Sequence, residues 1–143
     1  MSARTLVVVP THNEAANITT LLDQLHEHVP DVDVLVVDDA STDATRSLVR
    51  ERMDSTDQLR LLERPDKLGL GAAYRDAFRG GIADGYEMLV QIDADLSHDP
   101  VALPLMLVVA ERGVPVVIGS RYIPGGTVTG WPRRRTWLSR WAN

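Results

Sequence analysis

Apolar residues along this chain gather into five short runs, 5–9 (TLVVV), 33–37 (DVLVV), 59–63 (LRLLE), 87–92 (EMLVQI) and 115–119 (PVVIG). Several are continuously apolar rather than alternating, the pattern of parallel strands covered on both faces. Between them apolar positions recur at helical steps: Leu21, Leu22, Leu25 and Val29 in one stretch, Leu48, Val49 and Met53 in the next. Strand runs alternating with helical ones predict βαβ units, and hence a doubly wound α/β fold with a mostly parallel sheet flanked by helices. Asn13 or Thr11 is placed to cap the first helix and Ser41 or Thr42 the second, while Gly69 or Gly71 breaks the chain before the third. After Gly119 the pattern changes to loop, with PGG at 124–126, Gly130 and Pro132, and a helical pattern starts again at Arg133.

A chain of 143 residues fits one domain. It has no cysteine, which excludes disulfides, thiol nucleophiles and Cys-based zinc sites. No apolar run approaches the ~20 residues of a membrane-spanning helix, and the start, Met-Ser-Ala-Arg before an apolar run, lacks a signal peptide's cleavage site. The net charge of −5 hides an asymmetry. All 20 acidic residues lie in 1–111, whereas 121–143 carries Arg121, Arg133, Arg134, Arg135 and Arg140 and no acid. The acidic body argues against nucleic acid as a partner. The basic tail, with Trp137 and Trp141 four residues apart, suits phosphate groups or an anionic membrane surface, although a solvated basic turn has the same composition.

In a doubly wound sheet, ligands bind outside the carboxyl ends of the strands. The residues that follow the strand runs are therefore the informative ones: Pro10-Thr11-His12-Asn13-Glu14, Asp38-Asp39-Ala40-Ser41, Asp93-Ala94-Asp95 and Ser120-Arg121-Tyr122. Three of these clusters are acidic and the fourth supplies a cation. Two carboxylates one residue apart, Asp93 and Asp95, suit a hard divalent cation, Mg²⁺ or Mn²⁺, that completes its shell with water and substrate phosphate. They equally suit one capping and one solvated aspartate. For Asp38-Asp39, one carboxylate is free to take hydrogen bonds from a base or ribose while the other caps the helix beginning near Thr42. Lys67 to Ala73 brings glycines to a strand-to-helix turn whose amides could meet an anion, but it matches neither a P-loop nor a dinucleotide fingerprint. His98 lies near the Asp pair, either as a ligand or as a capping or surface residue.

Taken in order, VPTHNEAANI, VVDDASTDAT, GLGAAY, DADLSHDP and GSRYIPGG…GWPRRR…LSR resemble the motifs of the polyprenyl-phosphate (dolichyl-phosphate) mannosyltransferases, within the family 2, GT-A-fold glycosyltransferases. The resemblance runs from about Thr5 to Asn143. It implies a GT-A core at 1–120 that binds the nucleotide sugar, with 121–143 beginning an acceptor and membrane-interface segment of the same domain. Family catalytic domains continue past the position of Asn143, so it also implies a C-terminally incomplete fold. Pro10, His12, Glu14, Val37 and Asp39 are then implied in the nucleotide pocket, and Asp93, Ala94 and Asp95 at the metal and sugar diphosphate. Arg121 is implied at the reacting phosphates, and Arg135 and Ser139 at the acceptor phosphate. The implied reaction moves mannose from GDP-mannose to a polyprenyl phosphate with inversion, using Mg²⁺ or Mn²⁺, at the cytoplasmic face of a membrane. Four positions depart from residues found in the family: His12 stands where Tyr or Phe is common, Ala40 where Gly is common, Ser97 where some members have Gln and others Ser, and Trp141 where the family has Gly. A UDP-glucose-dependent transferase and a nucleotide-sugar-binding protein without turnover are the alternative readings.

Overall fold

The computed structural model describes residues 3–120. Its elements alternate as β1 (Thr5–Thr11), α1 (Ile18–His28), β2 (Asp33–Asp39), α2 (Thr45–Met53), β3 (Leu59–Arg64), α3 (Leu70–Ala83) and β4 (Met88–Gln91). A 3₁₀ turn at Pro100–Ala102 then runs into α4 (Leu103–Glu111). The strands form one parallel sheet in the order β3-β2-β1-β4. The α/β expectation is met, and β1 lies between β2 and β4, buried along its whole length.

Alternation along β1 explains the two layers. Val7 and Val9 point to the face where Ile18, Leu21, Leu22 and Leu25 of α1, Val49 of α2 and Leu103 of α4 pack. Leu6 and Val8 point to the other face, against Ala73 and Ala77 of α3. Each such aliphatic side chain, moved from water to the core, contributes about 1.5–3 kcal/mol. The amino ends of the strands are tied by Tyr86. Its hydroxyl donates to Asp33 and accepts from Arg60 (3.0 Å) and Arg4 (3.3 Å), with the Arg4 guanidinium 4.1 Å from the ring centroid. The carboxyl ends are left to the loops.

Two expectations are corrected. The run 115–119 is not a strand: it lies outside the sheet, with Val116 and Ile118 exposed and Gly119 against Met106 of α4. An apolar β-branched run becomes a strand only where a neighbour pairs with its backbone, and this one passes over a helix instead. None of the four proposed caps holds a helix start either. α1 begins at Ile18 after Asn17, which makes no side-chain cap, and α2 begins at Thr45, whose amide donates to Asp43 Oδ1 (2.9 Å). The side chains of Thr11, Asn13 and Ser41 are used between loops instead. Gly69 does precede α3, at φ +88°, a conformation that favours glycine.

Candidate functional site

The loops after β1 and β2 are sewn together by side chains. Thr11 Oγ1 donates to Asp38 Oδ2 (2.9 Å), the Asn13 amide donates to Ser41 Oγ (2.9 Å), and the Thr42 amide donates to Asn13 Oδ1 (2.9 Å). The Glu14 amide donates to Thr45 Oγ1 (2.9 Å), while the Glu14 carboxylate accepts from Asn17 (2.9 Å). His12 Nδ1 lies 2.8 Å from the Asp39 carbonyl oxygen. A carbonyl only accepts, so the proton sits on Nδ1 and leaves Nε2 as the remaining acceptor. Asn13, Ala40 and Leu96 adopt positive φ near 59°. They lie in the loops after β1, β2 and β4, three non-glycine residues in the left-handed region at one end of the sheet.

The adjacent aspartates of β2 differ in role. Asp38 is fully buried and accepts from the Ser41 amide (2.9 Å), the Ser41 hydroxyl (2.5 Å), Thr11 and Arg46 Nε. Burial pushes its carboxyl up, but the hydrogen bonds from Ser41, Arg46 and Thr11 outweigh that and hold it below the ordinary value. It is a structural anchor rather than a ligand-facing acid. Asp39 accepts from the amides of Leu68 (3.1 Å) and Gly69 (2.8 Å), fixing the start of α3 to the end of β2. Two of the amides expected to meet an anion at the glycine turn thus meet the protein's own carboxylate. With about four lone-pair sites, that carboxylate keeps room for a further donor.

Arg64 was not singled out by sequence reasoning. Its residue pairs in register with Asp39, and it is only 6% exposed. Nη1 lies 3.4 Å from Asp39 Oδ1 and Nη2 lies 3.6 Å from Asp76 Oδ2, yet neither nitrogen has a hydrogen-bond partner. Both nitrogens are enclosed, and their charge is balanced by the Asp39 and Asp76 carboxylates on either side. The available signal was a cation at the end of the strand run that follows the one ending in Asp38-Asp39.

On the other side of β1, β4 delivers Asp93-Ala94-Asp95. Asp93 Oδ1 accepts from the Tyr74 hydroxyl of α3 (2.9 Å), and the Asp93 amide donates to His98 Nδ1 (3.1 Å). Asp95 is exposed and accepts from the Ser97 amide (2.9 Å). Partial burial pushes the Asp95 carboxyl up, but the Ser97 hydroxyl and amide bring it below its ordinary value. Two carboxylates, one held in the ionised form, are a fitting donor set for a hard divalent cation, to which they would give oxygen ligands and leave further positions for water and phosphate. Among the described residues no set of three or more acidic or histidine groups converges on a metal position. Pro10, Val37 and Ala94 are buried, Val37 wholly so between β1 and β3. Arg121, Arg135 and Ser139 lie outside the described residues, as does the rest of the 121–143 segment with Trp137 and Trp141.

A parallel sheet whose carboxyl edge gathers acidic loops on either side of the central strand is the architecture of enzymes that bind nucleotides in that crevice. The chain belongs to glycosyl transferase family 2, whose model matches residues 6–143. It is 45% identical over 141 residues to the polyprenol monophosphomannose synthase of Mycolicibacterium smegmatis, covering 98% of this chain and 53% of the relative. It is also 45% identical over 139 residues to the undecaprenyl-phosphate mannosyltransferase of Micrococcus luteus, covering 97% of this chain and 56% of the relative. The chain thus spans about half the length of these curated relatives. Among solved structures, a mannosyltransferase from Pyrobaculum calidifontis in complex with GDP-Man and Mn²⁺ superposes with a TM-score of 0.59 at 36% identity, covering 66% of this chain and 28% of that one. The GT-A fold implied by the sequence motifs is therefore shared with solved glycosyltransferases.

Proposed function

We infer that this chain carries the donor-binding part of a polyprenyl-phosphate mannosyltransferase, which transfers mannose from GDP-mannose to the phosphate of a membrane-embedded polyprenyl phosphate with inversion. The observation that carries this reading is the 45% identity, over nearly the whole chain, with two relatives named for mannosyl transfer to polyprenyl carriers. The solved relative with GDP-Man and Mn²⁺ supports the donor and the metal.

The residues suit that chemistry. A phosphate acceptor is already anionic, so its oxygen attacks the sugar C1 without a protein base. The new C1–O bond forms as the bond from C1 to the nucleoside diphosphate breaks, and GDP departs with that electron pair. This agrees with a site built from acids and arginines and lacking a Ser-His-Asp or Cys-His set. Asp93 and Asp95 would hold Mg²⁺ or Mn²⁺, which when bound supplies positive charge to the diphosphate of the leaving group. Asp39, held by the Leu68 and Gly69 amides with Arg64 behind it, would offer its remaining acceptor capacity to the N–H of a nucleobase. Pro10, His12, Glu14 and Val37 belong to the same end of the sheet, where the partly exposed His12 and Glu14 are the ones open to a ligand. Arg121, Arg135 and Ser139 are assigned to the reacting and acceptor phosphates, where cations offset the repulsion between two anionic partners. No helix among the described residues is long and apolar enough to cross a membrane. On this reading contact with the cytoplasmic face of the membrane falls to the basic 121–143 segment, whose arginines suit anionic headgroups.

Calorimetric titration tests the reading. GDP-mannose should bind in the presence of Mn²⁺, bind far more weakly without it, and outcompete UDP-glucose. Asp95→Ala should abolish the metal-dependent part. Preference for UDP-glucose would transfer the assignment to a glucosyl donor, and failure to bind either nucleotide sugar would overturn it.

A further inference from the structure

We propose that Tyr74 and His98 are positioning residues that together fix Asp93 in the orientation a divalent cation requires, an inference that rests on reading Asp93 as a metal ligand. A carboxylate on a loop has two rotatable bonds and a mobile main chain, and both must be settled before its oxygens can share a cation with a second acid two residues on. The structure supplies one hold for each. Tyr74, on the first turns of α3, crosses from the helix layer to the end of β4 and donates its hydroxyl to Asp93 Oδ1 at 2.9 Å. Its ring is itself fixed by Phe78, with ring centroids 5.9 Å apart. With Oδ1 engaged, the second oxygen, Oδ2, is the one left to face a cation.

His98 acts on the main chain. Its Nδ1 accepts the Asp93 amide N–H at 3.1 Å and lies 3.9 Å from Asp93 Oδ2. That bond closes the turn from Asp93 to His98, which contains Leu96 at φ +59°, a conformation uncommon for any residue but glycine. An accepting Nδ1 carries no proton, so the ring proton is on Nε2. His98 is therefore a support for Asp93 through this nitrogen rather than a ligand through it. Outer-shell partners of this kind fix a ligand's orientation, and their removal typically weakens metal binding about 10–100-fold.

The test uses the full 143-residue chain and follows free Mn²⁺ by electron paramagnetic resonance in the presence of GDP, with metal-free GDP binding measured in parallel. Tyr74→Phe should weaken Mn²⁺ binding about tenfold or more while leaving metal-free GDP binding unchanged. His98→Ala should do the same, and His98→Asn, whose amide oxygen can accept the Asp93 N–H, should recover most of the loss. If the parent chain binds Mn²⁺ with GDP and both Tyr74→Phe and His98→Ala bind it as tightly, the positioning role is wrong while the donor-site reading stands. If metal-free GDP binding falls as much as Mn²⁺ binding, the two residues are merely structural and the inference is overturned. A parent chain that binds no Mn²⁺ overturns the donor-site reading and this inference with it. Should Tyr74→Phe not fold by circular dichroism, the His98→Ala and His98→Asn pair decides by the same criteria.

Discussion

Asp38 and Asp39 adjoin at the end of β2, yet one is sealed beneath the loops and the other sits between a glycine turn and a buried arginine. Asp38 has a folded-state pKa below its ordinary 3.8 because its hydrogen bonds outweigh its burial. A depressed carboxylate contributes stability that is fully present above its unfolded pKa and is lost as pH falls through the folded one. Urea denaturation should therefore show stability level from neutral pH down to about pH 5 and falling below about pH 4. Asp38→Asn should flatten that acid limb and cost about 1.5–3 kcal/mol at neutral pH, because the hydrogen bonds from Ser41, Thr11 and Arg46 then lose the charge of their buried acceptor. An acid limb unchanged in Asp38→Asn would assign it to other carboxylates. The adjacency of the two acids was plain in the sequence, but the division between them was not. It depends on Thr11, Ser41 and Arg46 converging on one residue and on Leu68, Gly69 and Arg64 converging on its neighbour, and those partners come from four different segments.

At the scale of elements, α3 contains two adjacent glycines with different surroundings. A Cβ on Gly81 would meet Leu89 Cδ2 at 2.9 Å and Leu6 Cδ2 at 3.0 Å, whereas one on Gly80 would meet nothing within 4 Å. Gly81 is where the helix presses onto β1 and β4, and Leu6 is fully buried and has little room to yield. Gly80→Ala should raise stability by about 1 kcal/mol through helix propensity. Gly81→Ala should lower it by about 1 kcal/mol or more despite the same propensity gain, since overpacking a tight contact costs about 1–3 kcal/mol. Thermal melts of the two variants, moving in opposite directions, check the pair; a shared direction would mean the contact relaxes freely. The sequence shows the glycines, and it shows the strand and helix periods well enough to place four strands and the first two helices. What it lacks is the neighbour. The same shortfall explains 115–119, whose apolar run has strand composition but lies over Met106 rather than beside β4, and Tyr74, whose motif was legible while its hydrogen bond to Asp93 depends on how α3 is set against the end of β4.

Over the whole molecule, charge is arranged more simply than contacts, and it can be read directly from the chain. Every acidic residue precedes position 112, and the five arginines from Arg121 onward have no acid among them. An acidic body is repelled by an anionic surface while a basic terminal segment is attracted, so contact should be made through the segment and with one orientation. Each arginine near an anionic leaflet contributes about 1 kcal/mol, and the attraction falls off within a Debye length of about 8 Å at physiological ionic strength. The chain should co-sediment with phosphatidylglycerol vesicles at low salt, release as salt is raised, and fail to bind phosphatidylcholine vesicles. Replacing Arg133, Arg134 and Arg135 together by glutamine removes three such charges, and the partition coefficient should fall by about two orders of magnitude at low ionic strength. Metal-dependent GDP-mannose binding, which depends on the strand-end acids, should be untouched by the same triple change. Vesicle binding that survives both salt and the triple substitution would place the attraction in apolar contact rather than charge, with Trp137 and Trp141 as the residues to replace next.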